Sequence, residues 1–167
     1  MSNFASSVIG ALIGGGLAIG AGIVHKIYAD CVEGRRLRVA LASEIRAILG
    51  MVEQDRLVTK LEDMVDHCRR TEGAGFVPVE FNSHYDDIFR SAADKLALLP
   101  TSLVERLVRF HYGIQRMIEL LQMHQRPLHP DNPFYPRLTE HEAMLDHVLR
   151  TRELGRDLVN ELEQPGQ

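Results

Sequence analysis

The chain has 167 residues, 45% of them hydrophobic and 25% charged, with no Trp. That length carries one ordinary domain, and the richness in Leu, Val, Ile and Ala is that of an all-α protein rather than a β-sandwich. The formal charge of −4 disfavours nonspecific nucleic-acid binding, which needs a clustered basic face to release counterions.

After a tail at residues 1–3, residues 4–24 (FASSVIGALIGGGLAIGAGIV) carry no charged side chain. As a helix rising 1.5 Å per residue this run is ~31 Å long, close to the ~30 Å hydrocarbon core, so it is expected to cross a lipid bilayer once. A cleaved signal would need a basic n-region, and Met1, Ser2 and Asn3 supply none. Tyr28, Ala29 and Asp30 do not give the aliphatic and small residues of a lipidation site at Cys31.

Lys26, Arg35, Arg36 and Arg38 all follow the apolar run. By the positive-inside rule they put residues 25–163 in the cytoplasm and the N-terminus outside, in the inner (cytoplasmic) membrane. Asp30 and Glu33 dilute the basic cluster, so it reads as a topology signal more than an anionic-lipid site. Gly10 and Gly14 form GxxxG, with Ser6 one turn back on the same face, and Gly16 and Gly20 form a second GxxxG on another face. Small residues at this spacing let helix backbones approach, so a homo-oligomer is expected. The same density of glycine also matches GxxxG by chance.

From about residue 30 to residue 70, Leu37, Leu41, Ile45, Ile48 and Val52 make a narrow, heptad-like seam of coiled-coil type. Leu61, Val65 and Cys68 resume it after an offset near Asp55, where the seam drifts or changes partner. Gly34 and Gly50 are the expected weak points of this long helix. Residues 71–82, with Gly73, Gly75 and Pro78, read as a loop. Residues 83–96 read as a short helix with Tyr85, Ile88, Phe89 and Ala92 inward and Asp86, Asp87 and Arg90 outward. Ser102 with Glu105 makes a capping box for a helix bearing Val104, Leu107, His111, Ile114, Ile118 and Leu121. Thr139 with Glu142 makes another for a last helix with Leu145, Val148, Leu149, Leu158, Val159 and Leu162. Residues 164–167 form a fraying tail. The expected architecture is an N-terminal transmembrane helix, a long helix and an antiparallel helical bundle.

Between the last two helices, in a Pro-rich loop at 127–137, Pro127, Pro130, Pro133 and Pro136 recur every third residue, the period of a polyproline II helix. One reading is a docking segment with Phe134 and Tyr135 as anchors for a protein partner. The other is a stiff connector packed on the bundle by those aromatics. His124, His129 and His141 are placed to converge at one end of the bundle, where three imidazoles can bind Zn²⁺. No HxxxH, no ExxH and no nearby cysteine accompany them, so unrelated histidines are the better reading and no metal or cofactor is expected. His111, on the apolar seam, is expected as a hydrogen-bonded core residue. Asp63 and His67 have the spacing of an acid/base pair or of a solvated helix face. No nucleophile elbow, P-loop or dinucleotide fingerprint is present, so no catalytic residue is assigned. Cys31 and Cys68 are far apart in sequence, and two cysteines make no disulfide framework, which fits a reducing compartment.

An uncharged Gly-rich span, a basic exit, RRLRVALASEIRAIL and then YDDIFRSAADKLALLPTSLVERLVRFHYGI resembles small bacterial and prophage-encoded single-span membrane proteins with a cytoplasmic helical domain. The resemblance covers roughly residues 1–125; it implies the layout and nothing about catalysis. The GxxxG faces, the heptad-like seam and the missing catalytic constellation lead to the expectation of a membrane-anchored, non-enzymatic interaction or scaffold protein that self-associates. The alternative is a prophage lysis or envelope component with its domain outside the inner membrane, and topology separates the two.

Overall fold

Helix is the only regular structure among the described residues. A computed structural model of the chain describes residues 2–71, 86–125 and 138–164, with side chains at 23–71, 86–122 and 138–164. Helix α1 spans Ser2–Gln54, α2 Leu57–Thr71, α3 Asp87–Ser91, α4 Thr101–Gln125 and α5 Leu138–Glu163, with a 3-10 helix at Ala93–Leu98 between α3 and α4.

The first helix is continuous over 53 residues, about 80 Å at 1.5 Å per residue. It starts at Ser2 rather than after a three-residue tail, and it runs through residues 24 and 25 without a break. Gly34 and Gly50, the expected weak points, are both inside it. The break comes instead at Asp55 and Arg56. Arg56 takes φ 50°, the left-handed conformation that commonly ends a helix. Its N–H donates to the Glu53 carbonyl at 3.1 Å, and its own carbonyl accepts from Lys60 N–H at 2.9 Å to open α2.

Helix α5 runs antiparallel to both α1 and α2. Arg46 of α1 pairs with Glu163, Glu53 with Arg156 at 2.6 Å, and Arg69 of α2 with Glu142 at 2.7 Å. Partners on α5 thus step backwards as α1 and α2 step forwards, so α2 continues the course of α1 past the break. Helix α4 lies antiparallel to α5 on another side, through Arg106 with Glu161 and a hydrogen bond from His147 Nε2 to the Gly113 carbonyl at 2.9 Å. Two glycines let these backbones close. A Cβ on Gly113 would lie 2.8 Å from Thr151 Oγ1, and one on Gly155 would lie 2.6 Å from the Phe110 ring.

The core fills the space between α1, α2, α4 and α5 with fully buried Leu41, Ile45, Leu57, Leu61, Phe110 and Leu158. The heptad-like seam is buried throughout: Leu37, Leu41, Ile45, Ile48 and Val52, then Leu61, Val65 and Cys68. Both expected capping boxes differ. The Pro100 carbonyl accepts from Leu103 and Val104 N–H at 3.0 Å, so α4 starts at Thr101 and Ser102 sits inside its first turn. Helix α5 starts at Leu138, which puts Thr139 inside the helix as well, and Glu142 bonds Arg69 across the bundle.

Among the described residues no helix is long and apolar enough to cross a membrane. The side chains of residues 4–22, on which the expected span rests, lie outside the described set.

Candidate functional site

Two places concentrate polar chemistry: a buried cluster where α1, α3 and α4 meet, and the basic base of the bundle along α1. The cluster begins with Glu44, which falls on the buried stripe of α1 between Leu41 and Ile48 and is 7% exposed. Its carboxylate accepts Ile88 N–H at 2.7 Å and Phe89 N–H at 3.1 Å. These are the unsatisfied donors of the first turn of α3, so Glu44 caps that helix from another element. Burial pushes its carboxyl up from the ordinary range, and the two backbone hydrogen bonds pull the other way.

His111 of α4 sits beside it, with Nε2 3.7 Å from Glu44 Oε2. Its ring stacks on Phe89 at 3.9 Å and meets Phe110 edge-on at 5.4 Å. Burial lowers its pKa to about 4, with the Asp86 charge opposing. His111 is therefore a neutral core residue at pH 7. The expected hydrogen bonding is not found, because among the described residues neither ring nitrogen has a hydrogen-bond partner. Asp86, expected on the solvent face, is buried and accepts Arg90 Nε–H at 2.6 Å, while Ile88, expected inward, is exposed. The cluster is sealed by the two aromatic rings, and its carboxylate is already occupied by backbone donors. Its chemistry is that of a clamp holding α3 on α1.

The second place is an open groove of about 980 Å³ between α1, the 3-10 helix and the end of α5, lined by residues that include Ile27, Cys31, Gly34, Arg35, Arg38 and Leu162. Lys26, Arg35 and Arg36 are exposed and Arg38 is half-buried, all on α1. Glu33 bonds Lys95 Nζ at 2.7 Å, and that bond holds the Lys95 ammonium above its ordinary pKa.

The remaining expected residues are dispersed. His141 is fully buried near the start of α5, and Asp63 and His67 are exposed on α2. Among the described residues no group of three His, Cys, Asp or Glu is placed to hold a metal ion. His129 and Pro127, Pro130, Pro133, Phe134, Tyr135 and Pro136 lie outside the described residues, as do the side chains of His124, Ser6, Gly10, Gly14, Gly16 and Gly20. Sequence reasoning missed Glu44, although its signal was present: a carboxylate three residues after Leu41 and four before Ile48 has to face the core. The pairing of Glu33 with Lys95 had no local signal.

Neither a protein-family model, nor a curated protein, nor a solved structure matches the chain.

Proposed function

We propose that the chain is a membrane-anchored, non-enzymatic helical scaffold. Its span at residues 4–24 self-associates through Ser6, Gly10, Gly14, Gly16 and Gly20, and its bundle offers the cytoplasm a surface for a protein partner. The observation that carries this reading is the continuity of α1, in which the uncharged segment and the buried seam from Leu37 to Val52 belong to one helix. A rigid rod of this kind passes the position and pairing of the span directly to the bundle, with no linker to uncouple them. The topology follows from Lys26, Arg35, Arg36 and Arg38.

Cys31 is the topology reporter, because it is exposed while Cys68 is buried. An impermeant maleimide is expected to label Cys31 only after spheroplasts are permeabilised. Labelling of intact spheroplasts would put the domain outside and favour the envelope alternative. Crosslinking in membranes then tests self-association: Gly10→Ile with Gly14→Ile, and Gly16→Ile with Gly20→Ile, are expected to lose oligomers. Unchanged oligomers in both variants would remove the span's role in assembly.

A further inference from the structure

Several cations of the bundle hold a carboxylate on another element: Arg46, Arg69, Lys95, Arg106 and Arg156. Lys26, Arg35, Arg36 and Arg38, crowded into one stretch of α1, have no ion pair among the described residues. The two carboxylates that share this stretch do not cancel them. Glu33 is taken by Lys95, which leaves Asp30 alone, while Glu163 at the rim of the groove is held by Arg46. The dilution that the sequence suggests is thus halved by the fold.

Four neighbouring apolar side chains are uncovered among the described residues. Ile23, Val24, Ile27 and Tyr28 are 55%, 67%, 58% and 69% exposed. On the membrane-anchored reading, on which this inference rests, these four side chains extend the lipid-facing surface to Tyr28, the residue type that settles at the edge of the hydrocarbon. Arg35 then stands about 10 Å beyond that edge along the helix and Arg38 about 15 Å. A long guanidinium stem bridges from there back to the headgroup layer. Arg35 and Arg38 line the open groove between α1 and the end of α5, and Arg35 and Arg36 line a second, shallower groove with Val32 and Val39. Arginine matches phosphate oxygens with paired donors.

We propose that these two grooves bind the phosphate headgroups of anionic lipids in the leaflet that faces the bundle, so that Arg35, Arg36 and Arg38 seat the base of the bundle on the membrane. Lipid is the occupant that fits on the membrane-anchored reading, because one leaflet brings apolar surface for Ile23, Ile27 and Tyr28 and negative charge for the arginines in the order in which they stand along α1.

The test reconstitutes the full chain into nanodiscs of phosphatidylcholine, with or without phosphatidylglycerol, and follows alkylation of Cys31, which lines the larger groove. Alkylation is expected to slow by about five-fold or more when phosphatidylglycerol is present, since each basic residue near an anionic surface contributes about a five-fold preference. High salt should restore the rate. Arg35→Gln with Arg36→Gln and Arg38→Gln should abolish the difference, whereas the same three positions changed to Lys should keep most of it. Equal rates in the two lipids, with the chain inserted in both, would overturn the lipid site and leave the anchor standing. Protection that depends on protein density and not on lipid charge would assign the groove to a second copy and also overturn it. Failure to enter either nanodisc would remove the anchor itself.

Discussion

Within α1, residues 34–54 and residues 23–31 share one helical geometry and differ in their surroundings. In residues 34–54 the stripe through Leu41, Ile45 and Ile48 is at most 1% exposed, covered by the rest of the bundle. In residues 23–31 every side chain is exposed, the apolar ones included. Ile23, Ile27, Cys31 and Gly34 lie on the line that continues as Leu41, Ile45 and Ile48, with the same steps of three and four, so the change is one of partner and not of helix. Helix α5 reaches its end at Glu163, opposite Arg46. Each aliphatic side chain buried in the covered half contributes about 1.5–3 kcal/mol, whereas among the described residues Ile23, Val24, Ile27 and Tyr28 stay more than half exposed. The covered half is stabilised by the fold, and residues 23–31 mark where that cover ends.

The largest expected effect breaks the covered half alone. Gly155 of α5 faces Phe110 and Leu49, and an added Cβ would sit 2.6 Å from the Phe110 ring and 3.1 Å from Leu49 Cδ2. Phe110 is fully buried, so its ring has nowhere to swing, and the helices must separate. Gly155→Val is expected to cost about 3 kcal/mol, at the upper end for overpacked cores. Denaturation of the detergent-solubilised full chain, followed by far-ultraviolet circular dichroism, measures this. Alkylation of Cys31, which lies outside the covered half, should keep its native rate in detergent.

A smaller effect comes from the clamp that ties α3 to the covered half. The pKa of His111 falls from 6.5 in the unfolded chain to about 4 in the folded one, so the unfolded state binds the proton more readily between these values. The stability this provides is present above pH 6.5 and is lost as the pH falls through 6.5 towards 4. Between pH 7 and pH 5 the loss is about 2 kcal/mol. Glu44 works in the opposite sense, because its raised folded pKa favours the folded state at low pH and that gain disappears as the pH rises. The wild type is therefore expected to lose somewhat less than the His111 value. His111→Leu should flatten the dependence or reverse it, and an unchanged slope would show that another group carries it.

Much of this frame was legible in the sequence. The seam from Leu37 to Val52, its resumption at Leu61, and the inward residues Leu107, Ile114 and Leu121 of α4 follow from periods of three and four, because burial of one stripe selects that spacing. The offset at Asp55 marked the break, though Gly50 competed for it. Cap assignment failed at Ser102 and Thr139 because other groups took those roles: the Pro100 carbonyl anchors the first turn of α4, and Glu142 reaches Arg69. Asp86 and Ile88 exchanged faces for a tertiary reason, since Glu44 fixes the start of α3. Of the candidate sites, the separate positions of the basic residues on α1 were legible. The removal of Glu33 by Lys95 was not, because it depends on a helix more than fifty residues away in sequence.

The smallest effect sharpens the comparison inside the covered half itself. Gly50 is one residue from buried Leu49, yet it points outward, and a Cβ added there meets nothing within 4 Å. The only terms left are those of an isolated helix, in which Gly loses more backbone freedom on folding than Ala. Gly50→Ala is therefore expected to stabilise the bundle by about 0.5–1 kcal/mol. The same kind of change at Gly155, on the opposite side of the contact, has the opposite sign. If Gly50→Ala destabilised the full chain in detergent, the outer face of α1 would have to be covered there, and a partner at that face would replace solvent as its neighbour. If it stabilises the chain, the face of α1 at Gly50 is open to solvent, and the cover on α1 at that level is confined to the stripe through Ile48, Leu49 and Val52.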